Sequence, residues 1–217
     1  MSPEHLRRVF RLLSDHHGPM HWWPGETPFE VMVGAILTQN TAWSNVERAI
    51  AALKEAGPLE PAALLALPEG ELAARIRPSG YYNVKARRLR AFCQWLLDAG
   101  GEPALRAHPT ERLRPALLTV KGIGPETADD ILLYALERPV FVVDAYTRRL
   151  FSRLGLAPAD LPYEALRAGV ESALGPDVPL FNELHALIVN HGKSVCRPRP
   201  RCGDCILRRD CPAADGI

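Results

Sequence analysis

Apolar residues recur along most of this chain at helical rather than strand spacing, and the interruptions carry helix punctuation. Ser2-Pro3 offers an N-cap and an N1 proline for a first helix that ends near Gly18. Thr27-Pro28-Phe29-Glu30 is a capping box that opens a helix over Phe29 to Leu37. A third runs from Ala42 to Ala56 and stops at Gly57-Pro58. Over Tyr82 to Leu97, Leu89, Phe92, Cys93 and Leu96 form one apolar stripe, and Gly100-Gly101 ends the helix. Further helices are predicted over Glu126 to Leu136, Ala145 to Leu154, Tyr163 to Leu174 and Phe181 to His191. Only Val140-Phe141-Val142-Val143 looks like a strand. It is too isolated to build a sheet and is expected to be a buried extended connector. The pattern predicts an all-α protein.

Composition adds limits. The 217 residues suffice for one large or two small domains, and 47% hydrophobic with 24% charged residues is the balance of a globular chain. No run of about 18 apolar residues exists to span a membrane. The N-terminus lacks the apolar core of a signal peptide, so a cytoplasmic location is expected. A net charge of +1 points neither toward nor away from nucleic acid. Locally, Lys193, Arg197, Arg199, Arg201, Arg208 and Arg209 stand against one acid, Asp204. Such a stretch is either a solvated tail or a phosphate-contacting patch.

Three local patterns carry candidate chemistry. Cys196, Cys202, Cys205 and Cys211 are spaced C-x5-C-x2-C-x5-C, a density of thiols that suits a soft metal centre, either zinc or iron–sulfur. Cys93, on its helix stripe, reads as a core residue. Val120-Lys121-Gly122-Ile123-Gly124-Pro125-Glu126-Thr127-Ala128 lies between helical segments. It is either an ordinary αα-turn or a turn whose backbone amides face a phosphate. Asp144, just ahead of a helix, reads as an N-cap, as a carboxylate tuned at the edge of an apolar cleft, or as both.

Taken together, these features resemble the endonuclease III branch of the helix-hairpin-helix DNA glycosylases over nearly the whole chain. The parts come in the family's order. Val33-Gly34-Ala35-Ile36-Leu37-Thr38-Gln39-Asn40-Thr41 is followed by Ser79-Gly80-Tyr81-Tyr82-Asn83-Val84-Lys85-Ala86 and then by the hairpin. Val142-Val143-Asp144, His191-Gly192-Lys193 and the cysteine loop complete the series. The resemblance implies two lobes: a six-helix barrel over 28–137, and a cluster lobe of residues 1–27 with 138–217. It also implies a [4Fe-4S] cluster on the four cysteines. The first cysteine gap is five residues where the family usually has six, so a slightly altered loop geometry is expected.

The implied activity is removal of a damaged base from DNA by a monomeric, nucleoid-associated enzyme. The nucleotide is flipped out of the stack, and the Gln39-Asn40 turn supplies the side chain that fills the gap. Gly122, Ile123, Gly124 and Lys193 are implied DNA contacts, and Lys193 with His191 would line the cleft. Asp144 corresponds to the anion that faces the oxocarbenium-like sugar. At Glu126 bifunctional members carry a lysine that forms a Schiff base, so this chain resembles a monofunctional glycosylase. The paired Trp22-Trp23 and the aromatic Trp43 resemble the base pocket of bacterial 3-methyladenine glycosylases, where aromatic faces attract a cationic purine. The alternatives are an oxidised-pyrimidine glycosylase with lyase activity and a non-catalytic DNA-structure binder.

Overall fold

The computed structural model describes residues 1–215; residues 216 and 217, which fall in the predicted cluster lobe, lie outside the described residues. Among the described residues there are helices and connecting turns and no strand, so the all-α expectation holds. By packing, the chain divides into two compact units, Met1–Trp22 with Pro139–Ile217, and Trp23–Arg138.

The first unit begins with α1 (Pro3–His17), whose N-cap Ser2 accepts from His5 N at 3.3 Å. Leu6, Val9 and Leu13 recur three and four residues apart and are fully buried, where α1 packs on α11 (Tyr163–Leu174) and α12 (Val178–Ser194). The helix α10 (Ala145–Arg153) also lies on α12. The predicted last helix is longer at both ends, because Asp177 caps it onto Leu180 N at 2.9 Å and helical turns continue past His191. Val140 to Val143 are buried without pairing as a strand: Phe141 N donates to Glu171 Oε1 and Val143 N to the Tyr163 hydroxyl. This is the connector the sequence predicts.

The second unit holds α2 (Pro28–Leu37), α3 (Trp43–Lys54), α4 (Pro61–Ala66), α5 (Glu69–Arg75), α6 (Tyr82–Asp98), α7 (Gly101–Ala107), α8 (Thr110–Leu118) and α9 (Pro125–Asp130). Helix α2 is buried along nearly its whole length and packs against α3, α6 and α9, which makes it the axis of this core. The α6 stripe of Leu89, Phe92, Cys93 and Leu96 is buried as its spacing requires. Two departures from expectation are physical. The helix expected over Glu126 to Leu136 passes into a π-helical turn at Ile131–Ala135, a local widening common at functional sites. The segment Trp23 to Thr27 and Arg138 pack with this unit rather than with the N-terminal helix. Trp23 stacks within it, Glu26 pairs with Lys54 at 3.0 Å, and Arg138 Nη2 donates to Arg106 O and His108 O.

Candidate active site and cysteine centre

In the second unit, α8 and α9 are joined by the predicted hairpin. Arg114 clamps the two helices with a bidentate pair to Asp129, at 2.6 and 3.0 Å, and the Asp129 carboxylate is fully buried. A bidentate charge pair of this kind ties α8 to α9 and so helps to hold the hairpin. Gly122 sits at φ 93°, and a Cβ there would run into the Arg88 side chain, so only glycine fits. Ile123 is buried and its N–H closes the turn onto Val120 O at 3.0 Å. No backbone acceptor takes the amide of Gly122 or of Gly124 among the described residues, whereas the Ile123 amide is spent on the turn. Glu126 lies exposed in the first turn of α9.

The Thr38–Thr41 turn stands against this hairpin. Gln39 Nε2 donates to Thr127 Oγ1 at 2.8 Å and to Gly122 O at 3.2 Å, while Arg88 Nη1 donates to Gln39 Oε1. Below it, the Lys85 ammonium is buried and caps the end of α2, donating to Leu37 O at 2.8 Å and Ser79 O at 2.6 Å. Burial pulls its pKa down to about 8. Trp23 and Trp43 meet edge to face with centroids 5.0 Å apart, and Trp23 also lies 4.8 Å from Tyr134 of the π-turn. Gly34 makes room for both indoles: a Cβ there would approach each to 3.2 Å.

In the first unit, Asp144 closes the connector and caps α10, its Oδ1 accepting from Thr147 N at 2.7 Å. Its Oδ2 faces His185 Nε2 of α12 at 3.6 Å, and both side chains are nearly buried. Burial alone would raise the Asp144 carboxyl. The nearby His185 imidazole, with the hydrogen bond from Thr147, outweighs it and holds the pKa below the ordinary carboxylate range. Asp144 is thus a fixed anion as well as a helix cap. His185 was not singled out from sequence; its one signal is a buried polar residue inside the apolar run Leu184 to Val189. Lys193 Nζ lies 5.4 Å from the centroid of Trp22 and 5.9 Å from that of Tyr146, with the Asp144 charge near enough to act on it. Desolvation nonetheless leaves its pKa lowered. The Trp22 face therefore already carries a cation of the protein itself. By contrast, Trp43 borders a surface depression together with Glu26, Glu30 and Glu47.

The cysteine loop lies at the far end of α10. Cys196, Cys202, Cys205 and Cys211 line one small apolar cavity with Leu150 and Leu207. Arg153 Nη1 donates to Cys196 Sγ at 3.3 Å, and its guanidinium also binds Arg197 O and Pro198 O. Arg149 holds Cys196 O and Gly192 O. His191, fully buried, has Nε2 3.4 Å from Cys205 Sγ and Nδ1 3.2 Å from His17 Nε2. Burial pushes the Cys205 and Cys211 thiols up, and the neighbouring cysteines push the same way, while the amides of Leu207, Ala213 and Ala214 pull down. Four thiolates facing one cavity would repel one another unless a cation lay between them. Among the described residues no three ligating side chains converge closely enough for a single ion.

Comparison with known proteins places the chain. Residues 33–176 match the HhH-GPD superfamily of base excision DNA repair proteins, a span that contains the Gln39-Asn40 turn, Trp43, the hairpin and Asp144. A protein of Methanocaldococcus jannaschii, described provisionally as a DNA repair glycosylase, is 45% identical over 211 residues and 96% of each chain. An endonuclease III solved in a non-covalent complex with DNA shares the fold, with a TM-score of 0.86 and 23% identity over 100% of this chain and 98% of that one. A 3-methyladenine DNA glycosylase of H. pylori, solved bound to 1,N6-ethenoadenine, is 31% identical with a TM-score of 0.75 over 89% of this chain and 98% of its own. The chain belongs to the HhH-GPD superfamily of base excision DNA repair proteins and is a DNA glycosylase of the endonuclease III-like fold.

Proposed function

We propose that the protein removes alkylated purines such as 3-methyladenine from damaged DNA by hydrolysis, without cleaving the strand. The observation that carries this reading is the combination of a fixed anion at Asp144 with a glutamate at position 126. Cleavage of the glycosidic bond builds positive charge on the sugar, and a carboxylate held ionised and oriented before the reaction lowers that barrier without reorganising. A glutamate offers no amine for an imine at the hairpin. Gly122 and Gly124 would bind the DNA backbone through their amides and Lys193 through its charge. Trp22, Trp23 and Trp43 would stack the extruded base, and the likeness to the H. pylori glycosylase supports that substrate class.

The cysteine loop fits a [4Fe-4S] cluster held by Cys196, Cys202, Cys205 and Cys211. The four thiols line one cavity, amide and arginine donors are aimed at their sulfurs, and a cluster takes one thiolate per iron, a wider arrangement than a single ion needs. When bound, the cluster supplies a cross-link between the four cysteines and a one-electron couple.

A second reading, a bifunctional glycosylase with lyase activity, draws support from Lys193, an amine with a lowered pKa beside Asp144. Borohydride reduction on abasic DNA decides between them. The expected outcome is base release from alkylated duplex with no trapped adduct. An adduct that disappears in Lys193→Gln would establish the lyase reading, and absence of base release from any alkylated substrate would defeat the first.

A further inference from the structure

His191 stands between the start of the cysteine loop and one of its sulfurs. Its carbonyl accepts from Val195 N at 2.9 Å and from Cys196 N at 2.8 Å, so the turn leading into the loop closes on this residue. Its imidazole is fully buried, with Nε2 3.4 Å from Cys205 Sγ. Nδ1 lies 3.2 Å from His17 Nε2 of α1, and the other His17 nitrogen lies 3.2 Å from Asn190 Nδ2. Four groups of one unit therefore run in a line from the Asn190 amide to the Cys205 sulfur. The direction of the line follows from its ends. An amide nitrogen only donates, so His17 Nδ1 accepts and, in the neutral ring, Nε2 carries the proton. His191 Nδ1 then accepts in turn, and its own proton stands on Nε2, facing Cys205. A thiolate bound to a metal only accepts, so the far end agrees with the near one.

We propose that Asn190, His17 and His191 form a directional relay that presents one N–H to the Cys205 sulfur and so raises the reduction potential of the cluster. The proposal rests on the [4Fe-4S] reading above. A hydrogen bond to a cluster sulfur draws off electron density and favours whichever state of the couple carries the extra negative charge. A ring free to choose its tautomer would also turn a lone pair toward the sulfur, and the relay removes that choice. Two of the four sulfurs thus receive donors of different kinds, a charged guanidinium from Arg153 at Cys196 and a neutral imidazole at Cys205. Asn190 and His17 are positioning residues, since each acts on Cys205 through the ring of His191. The middle ring comes from α1, so the packing of α1 on α12 is part of the device.

The test uses the full-length protein with its cluster and reads two quantities, the reduction potential and the tautomer of His17. His191→Phe removes the N–H at Cys205 and should leave about ten-fold less reduced cluster at a fixed applied potential, a shift of about 59 mV for one electron. His17→Phe and Asn190→Leu should shift the potential the same way by less, because they release the His191 ring without removing it. His17 is half-buried, so its variants make the comparison at a position where the cluster is expected to stay. His17→Gln, which keeps an amide donor toward His191 Nδ1, should restore most of what His17→Phe loses. NMR of nitrogen-labelled histidine in wild type should find the His17 proton on Nε2. A histidine pair that only fills space between α1 and α12 would lower the melting temperature on substitution and leave the potential unmoved. An unmoved potential in His17→Phe and His191→Phe, or a His17 proton on Nδ1, overturns the proposal alone. A colourless wild type carrying zinc overturns the cluster reading and the proposal with it.

Discussion

Asp144 shows how one side chain serves two ends at once. One oxygen is spent on the first turn of α10, and the other is left toward His185 and the side where Lys193 lies. Asp144→Asn keeps the shape and much of the capping ability but removes the anion. Base release in single turnover should fall by about two orders of magnitude or more, while circular dichroism and DNA affinity stay close to wild type. The acid limb of the wild-type pH profile should lie below the ordinary carboxylate range, because the folded Asp144 pKa is depressed. The same depression means that Asp144 stabilises the fold above that range, and the contribution is lost as pH falls through the folded value. Release that is unchanged in Asp144→Asn would remove the anion from the mechanism. The aspartate was legible in sequence from its place before a helix and from the family order. Its partner was not, since a histidine within the apolar run Leu184 to Val189 gives no sign of what it faces across to another helix. The same holds for Trp22: the paired tryptophans stand out in sequence, but only the fold shows that Lys193 rests on one of them.

Among the elements, the strongly periodic helices were readable and the short ones were not. Helices of six to nine residues such as α4 and α8 are too brief to display a period, and they are held by packing rather than by their own sequence. The π-turn after α9 likewise leaves no trace in the pattern, because its extra residue is accommodated by α2 rather than dictated locally. Lys85 is a further case: at 1% exposure it lies in the core of the second unit, as a cap for the last carbonyl of α2. Its hydrogen-bond partners are two carbonyl oxygens rather than a carboxylate, so burial wins and the ammonium is destabilised. The sign of the pH effect follows. Between about 8 and the ordinary lysine value the unfolded chain binds the proton that the folded chain has lost, so this group adds stability as pH rises. A neutral amine still donates to both carbonyls. The stability of wild type relative to Lys85→Met, read from urea midpoints, should therefore increase from pH 8 toward pH 10, at roughly 1 kcal/mol per pH unit. A flat or falling difference would show that the charged form is the one the core prefers.

At the scale of the whole molecule, the two units carry different parts of the proposed chemistry, and each is stabilised in its own way. The unit Trp23–Arg138 is built around α2 and a buried Arg114–Asp129 clamp, and it contains none of the four loop cysteines. The other unit gains much of its C-terminal order from the loop itself. From Cys196 onward its regular structure consists of short 3-10 turns at Cys202–Asp204, Arg208–Asp210 and Pro212–Asp215, which bury little apolar surface. Such a segment needs a cross-link to stay folded, and a cluster bound by four thiolates would provide one. The protein as purified should be yellow-brown with absorption near roughly 400 nm. Cys202→Ser should bleach it, and the structural cost should follow the hydrogen bonds inward from the loop. Arg153 and Arg149 tie α10 to Cys196, Arg197, Pro198 and Gly192, so α10 and the end of α12 should lose amide protection next. Since Asp144 caps that same α10, base release should weaken with the loss of the cluster even though no cysteine touches the base. Hydrogen exchange read by mass spectrometry gives the order: loop first, then α10 and α12, with α2 and α6 still protected. Equal loss of protection in α2 and α10 would refute the division of labour between the units, and a colourless wild-type protein with one zinc per chain would refute the cluster.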